Sequence, residues 1–196
     1  MMSRMTRTFS LGAAVVFVAA CTSDRPAPTG AEIRAPLFAR SPASNLGTHL
    51  DGPDENPPNA SLAQGQAIFR VSDDGSSVEY KLIAANIDNA FMAHIHLAAA
   101  GVNGPIVVWL FPSTAPVPGP AGAGRFDGVL AQGTFTAANL VGPLLGHPLS
   151  EVLAAMRSGG AYVNVHTNDG IPPANTGPGD LPGGEIRGQL HAPGSN

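Results

Sequence analysis

An all-β domain carrying one short helix, arranged as an antiparallel sandwich or barrel, is the fold class this sequence predicts. Three observations carry that expectation. Glycine and proline break the chain often, 24 and 19 times in 196 residues. The segments between the breaks alternate apolar and polar residues with a period of two, the mark of half-buried strands. Only one segment places apolar residues at helical spacing.

Taken in order, the first elements are not part of the fold. Arg4 and Arg7 give a positive start, residues 9–18 form an apolar run, and Ala19 and Ala20 lead into Cys21. That order reads as a cleaved signal peptide over residues 1–20. The run is too short to span a bilayer comfortably. Val18-Ala19-Ala20-Cys21 resembles the lipobox of bacterial lipoproteins, where the cysteine becomes the lipidated first residue of the mature chain. The alternative is an ordinary signal peptide with an incidental cysteine. Residues 21–44, rich in Pro, Ala, Ser and Thr, read as a lipidated Cys21 followed by a flexible tether. The domain itself is expected over residues 45–192.

Within it, residues 67–71 and 78–83 alternate on either side of Asp73-Asp74-Gly75-Ser76 and predict a hairpin. Residues 91–97 predict a strand, Gly101-Val102-Asn103-Gly104 a turn, and residues 105–111 an apolar strand. Residues 112–124 are a Pro/Gly loop, and residues 129–136 a further strand. Leu149, Val152, Leu153 and Met156 form one apolar helical face, begun by Pro148 in the first turn or by a Ser150 cap and ended by Gly159 and Gly160. Residues 161–167 and 185–191 are the last two strands. The sum is about seven strands and one crossover helix.

Composition excludes several functions. The net charge is −4, and removal of Arg4 and Arg7 with the leader leaves 8 basic against 14 acidic residues, or −6. Lys81 is the only lysine, so no basic patch exists for nucleic acid. Cys21 is the only cysteine, which rules out an intrachain disulfide and a CxxC zinc site. No Gly-x-Ser-x-Gly elbow, phosphate loop or dinucleotide fingerprint is present. Past the leader no segment is long enough for a transmembrane helix.

Five phrases occur in an order and spacing that resemble the CHRD (chordin) domain. They are Leu50-Asp51-Gly52 with Glu55-Asn56-Pro57-Pro58, Ala93-His94-Ile95-His96, Asn103-Gly104-Pro105-Ile106-Val107-Val108, Gly160-Ala161-Tyr162-Val163-Asn164-Val165-His166-Thr167, and Gly184-Glu185-Ile186-Arg187-Gly188-Gln189-Leu190. The resemblance implies an immunoglobulin-like or superoxide-dismutase-like β architecture. It implies no settled activity, and for an exported, membrane-anchored chain of the cell envelope the expectation is a noncatalytic binding or structural module.

One constellation suggests more. Alternation puts His94 and His96 on one face of their strand, opposite Ala93, Ile95 and Leu97. Val163 and Val165 turn Tyr162, Asn164 and His166 to the other side of theirs. Ile186 and Leu190 do the same for Glu185, Arg187 and Gln189. If the three strands are neighbours, His94, His96 and His166 meet as a candidate copper or zinc site, with Asn164 or Glu185 orienting an imidazole. His-x-His on a strand also occurs at the copper of copper/zinc superoxide dismutases, whose further ligands and disulfide have no counterpart here. The competing reading is a polar sheet surface with Glu185 and Arg187 as an ion pair. His49, His147 and His191 read as surface or loop residues.

Overall fold

The computed structural model describes residues 45–113 and 117–192. The expected signal peptide, Cys21 and the tether lie outside the described residues. Eight strands and one helix follow in order: β1 (Asn45–Asp51), β2 (Gln64–Val71), β3 (Val78–Asp88), β4 (Ala90–Leu97), β5 (Ile106–Phe111), β6 (Arg125–Phe135), α1 (Leu149–Ser158), β7 (Ala161–Thr167) and β8 (Ile186–Gln189). They build one antiparallel sheet in the order β5-β4-β7-β8-β1-β2-β3-β6.

The ends of that sheet curl toward each other. Just past β6, Val141 N–H donates to the Val107 carbonyl of β5 at 2.9 Å, and Val108 bridges Leu140. Tyr80 Oη of β3 donates to the Leu110 carbonyl at 2.8 Å. The sheet is therefore nearly closed into a barrel, which protects most of its edge.

β1 is the strand the alternation missed. Its inward side chains, Leu46 and Leu50, are buried at 3% and 0% exposure, but Gly47, Thr48 and His49 between them carry no apolar contrast. β6 also starts four residues earlier than expected, at Arg125. Bulges in its pairing with β3 interrupt the period-two pattern there. The β2–β3 hairpin is as the sequence predicts. Asp74 Oδ1 holds its turn by accepting from Ser72 Oγ, Ser76 N–H and Ser76 Oγ.

The inward side chains of all eight strands merge into one core, with Phe69, Leu82, Ile95, Val163, Ile186 and Leu190 at or near zero exposure. α1 carries the chain from β6, at one end of the sheet, to β7, third from the other end. It adds Leu149, Val152, Leu153 and Met156 to the same core. Pro148 occupies its N-cap, and Gly159 closes it in the left-handed conformation, φ 78°. Among the described residues no helix is long and apolar enough to cross a membrane.

The opposite face of β4, β7 and β8 departs from expectation. The residues read as outward are not solvated: Glu185 and Arg187 are each 1% exposed. Loops roof them. Asn59 Nδ2 donates to the Glu185 carbonyl, and Arg187 donates to Asn103 Oδ1 and to the carbonyls of Ala99 and Val102. Alternation assigns a side chain to a face. Whether that face meets water depends on chain folded over it from elsewhere.

Candidate metal centre

β4 and β7 are hydrogen-bonded neighbours, in the register Met92↔His166, His94↔Asn164, His96↔Tyr162. His94 and His166 are thus diagonal neighbours on one face, and His96 lies two residues further along β4. The ring centroids are 5.0 Å apart for His94–His166, 5.5 Å for His94–His96 and 5.9 Å for His96–His166. One ring nitrogen from each lies within 4.8 Å of the others. All three rings are buried, His94 completely.

Backbone carbonyls fix two of the three tautomers. His96 Nδ1 lies 2.9 Å from the Gly104 carbonyl, and His166 Nδ1 lies 2.9 Å from the Pro182 carbonyl. A carbonyl only accepts, so each Nδ1 carries the proton and each Nε2 keeps a lone pair. His94 Nδ1 stands 3.2 Å from His166 Nε2. With no ion bound it donates there and leaves a lone pair on His94 Nε2, so a metal held by all three rings would displace this bond to reach His166 Nε2. His94 Nε2 and His96 Nε2 are buried without a hydrogen-bond partner among the described residues. Two lone pairs withdrawn from water with nothing bound to them cost stability.

Charge is expelled from the cluster. Burial, then the neighbouring His166 and His96, push His94 down to about 2 from 6.5. Burial lowers His166 to about 4 against the raising effect of the Pro182 carbonyl, and His96 adds to the lowering. His96 is lowered by burial and by Arg187, with the Gly104 bond opposing. At neutral pH all three are neutral imidazoles, the protonation state a metal ligand requires.

The expected orienting groups do different work. Glu185 accepts from Ser61 Oγ at 2.6 Å, Thr167 Oγ1 at 2.6 Å and Gly179 N–H at 2.7 Å. It ties two loops to the sheet and holds no imidazole. Asn164 Nδ2 donates to Glu55 Oε1 at 2.8 Å. The carbonyls of Gly104 and Pro182 take the orienting role instead. Nor do Glu185 and Arg187 form an ion pair: Arg187 turns to the 99–103 loop and lies 3.4 Å from the Tyr162 ring centroid. Tyr162 in turn stacks on His96, 4.8 Å between centroids and 9° between planes.

Three residues of the site were not found from the sequence. Glu55, read as part of a rigid loop, is 5% exposed, and burial raises it to about 7 against the opposing effects of Asn56 N–H and Arg187. Trp109 lies edge-on to His94, centroids 4.1 Å apart. It also lines a cleft of about 380 Å³ shared with Tyr80, Gln132 and Phe135. Gly104 allows the close approach that the His96 bond needs, because a Cβ there would collide with the Leu97 carbonyl. The placement of Glu55 in a motif phrase was the only signal for it. For Trp109, none existed without the β4–β5 register His94↔Trp109.

No curated protein and no solved structure matches the chain. The family model of the CHRD domain matches residues 46–190, a span that holds the whole sheet from Leu46 onward and every residue of the histidine cluster. By that match, the chain belongs to the CHRD family.

Proposed function

We propose that this chain is a lipid-anchored CHRD-domain module of the cell envelope, and that its domain binds a copper or zinc ion through His94, His96 and His166. The observation that carries the metal reading is the pair of buried, unpartnered Nε2 lone pairs on His94 and His96, beside His166 in a cluster with no positive charge of its own. The Gly104 and Pro182 carbonyls fix the tautomers of His96 and His166, the preorganisation that metal sites take from groups around their ligands, and metal binding exchanges the His94–His166 hydrogen bond for coordination. The envelope location rests on the leader and on Val18-Ala19-Ala20-Cys21. Membership of the family supports a binding or structural module.

The second reading is the module without a metal. What favours it is the polar network itself: Glu185 and Arg187 tether several loops and explain their burial with no ligand. A titration of untagged protein separates the two. Trp109 is the only tryptophan and touches His94, so a paramagnetic Cu(II) ion bound there quenches its fluorescence. We expect saturable quenching by Cu(II) and calorimetric binding of Cu(II) or Zn(II), both lost in a His94→Ala/His96→Ala double variant. Equal behaviour of the two proteins leaves the metal-free module.

A further inference from the structure

The register of β4 against β7 brings a fourth donor to the histidine face. Met92 pairs directly with His166 and shares the face of His94 and His96. Side chains directly opposite on antiparallel strands stand about 4.5–5.5 Å apart at Cβ, and methionine's three rotatable bonds let its sulfur cover that distance. Met92 is half-buried, at the rim of an otherwise enclosed cluster. The chain holds five methionines. Met1, Met2 and Met5 lie outside the described residues, and Met156 is locked in the core at 0% exposure. Met92 is therefore the one described thioether on the histidine face.

The rest of the donor set points the same way. No carboxylate joins the three imidazoles within the 4.8 Å that groups them, among the described residues. Glu185 is saturated by Ser61, Thr167 and Gly179, and Glu55 is turned to Asn164 and Asn56. The Tyr162 hydroxyl accepts from Gly104 N–H. Zinc sites complete their coordination with thiolate, imidazole, carboxylate or water. Thioether sulfur is a soft donor and selects copper, the cuprous ion above all.

We propose that Met92 supplies a thioether as the fourth ligand of the cluster, and that this three-nitrogen, one-sulfur set makes the site a copper site that holds Cu(I). The proposal rests on the three-histidine reading above and adds to it the metal and the ligand that selects it.

The test uses the full chain with Cys21→Ser in every sample, which removes the only thiol. Cu(I) affinity is measured anaerobically by competition with a chromogenic Cu(I) chelator, and Zn(II) affinity by competition with a fluorescent zinc chelator. Met92→Leu keeps the volume and apolar character of the position. We expect it to weaken Cu(I) binding by about ten- to hundredfold, the scale on which loss of a metal-supporting group acts, and to leave Zn(II) within a factor of about two. Copper K-edge absorption should show a sulfur shell in the Met92 protein and none in Met92→Leu. A Cu(I) loss below about threefold, an equal loss for both metals, or a spectrum without sulfur overturns the Met92 assignment alone. Wild-type binding of either metal no tighter than that of His94→Ala/His96→Ala overturns the histidine reading and this one with it.

Discussion

Glu55 shows how strongly one buried residue can set the pH response of this domain. Its carboxyl is raised from 4.5 to about 7, chiefly because burial penalises the anion. A group whose folded value lies above its unfolded value stabilises the fold fully at low pH. That contribution is lost as pH rises through the folded value. The window therefore runs from 4.5 to about 7, and a shift of this size corresponds to roughly 3 kcal/mol. Glu55→Gln cannot ionise and still offers an oxygen to Asn164 Nδ2. Urea denaturation at pH 5 and pH 8 should show the wild type losing roughly 2–3 kcal/mol more than Glu55→Gln between the two, since part of the loss falls below pH 5. Parallel profiles for the two proteins would contradict this account. The lowered histidines act in the opposite sense and in a lower window. For His166 the unfolded state binds the extra proton between 6.5 and about 4, so its contribution weakens as pH falls through that range.

At the scale of the element, β7 carries both halves of the design on one strand. All seven of its residues are buried: Val163 and Val165 toward the core, Tyr162, Asn164 and His166 toward the roofed face. Val163 pairs with Ile95 of β4 and Gly188 of β8 at the centre of the half-sheet that bears the site. Val163→Asp puts an unpaired carboxylate where no described residue offers a partner and no water reaches. Its cost should be about 4 kcal/mol or more, read as a collapse of the cooperative thermal transition. A variant that melts within a few degrees of the wild type would show that the core is not where the alternation and the burial put it. Legibility at this scale was uneven. The faces of Val163 and His166 followed from alternation, because pleating forces successive side chains to opposite sides. The period is silent about the neighbour: nothing in residues 161–167 announces that β4 lies on one side and β8 on the other.

For the whole molecule, the leader and tether that the sequence predicts ahead of the domain lead to a cellular prediction. If Cys21 is the acylated residue, two or three acyl chains hold the protein stably where one holds it marginally. Cys21→Ala should leave the precursor uncleaved or release the protein into the soluble fraction. Fractionation followed by mass analysis of the N-terminus reads either outcome. Membrane retention and normal cleavage of that variant would sink the lipobox reading. The same layout bears on the roof of the histidine face. The segments that cover it come from before β2, from between β4 and β5 and from between β7 and β8, so it assembles only when the sheet is complete.

Taken alone, the sequence determined the class of the fold, the single helix, the family through its five ordered phrases, and the side of the strand on which His94, His96 and His166 stand. Those properties are local: a two-residue period, a 3.6-residue period and short motifs are legible within a few residues. Only the tertiary structure decided that His166 meets His94 across 72 residues of chain, that backbone carbonyls rather than Asn164 or Glu185 orient the imidazoles, and that the polar face is roofed. Strand order is set by pairing between distant segments. Desolvation of a face depends on which loops cross it, and neither quantity is written in the residues that bear its consequences.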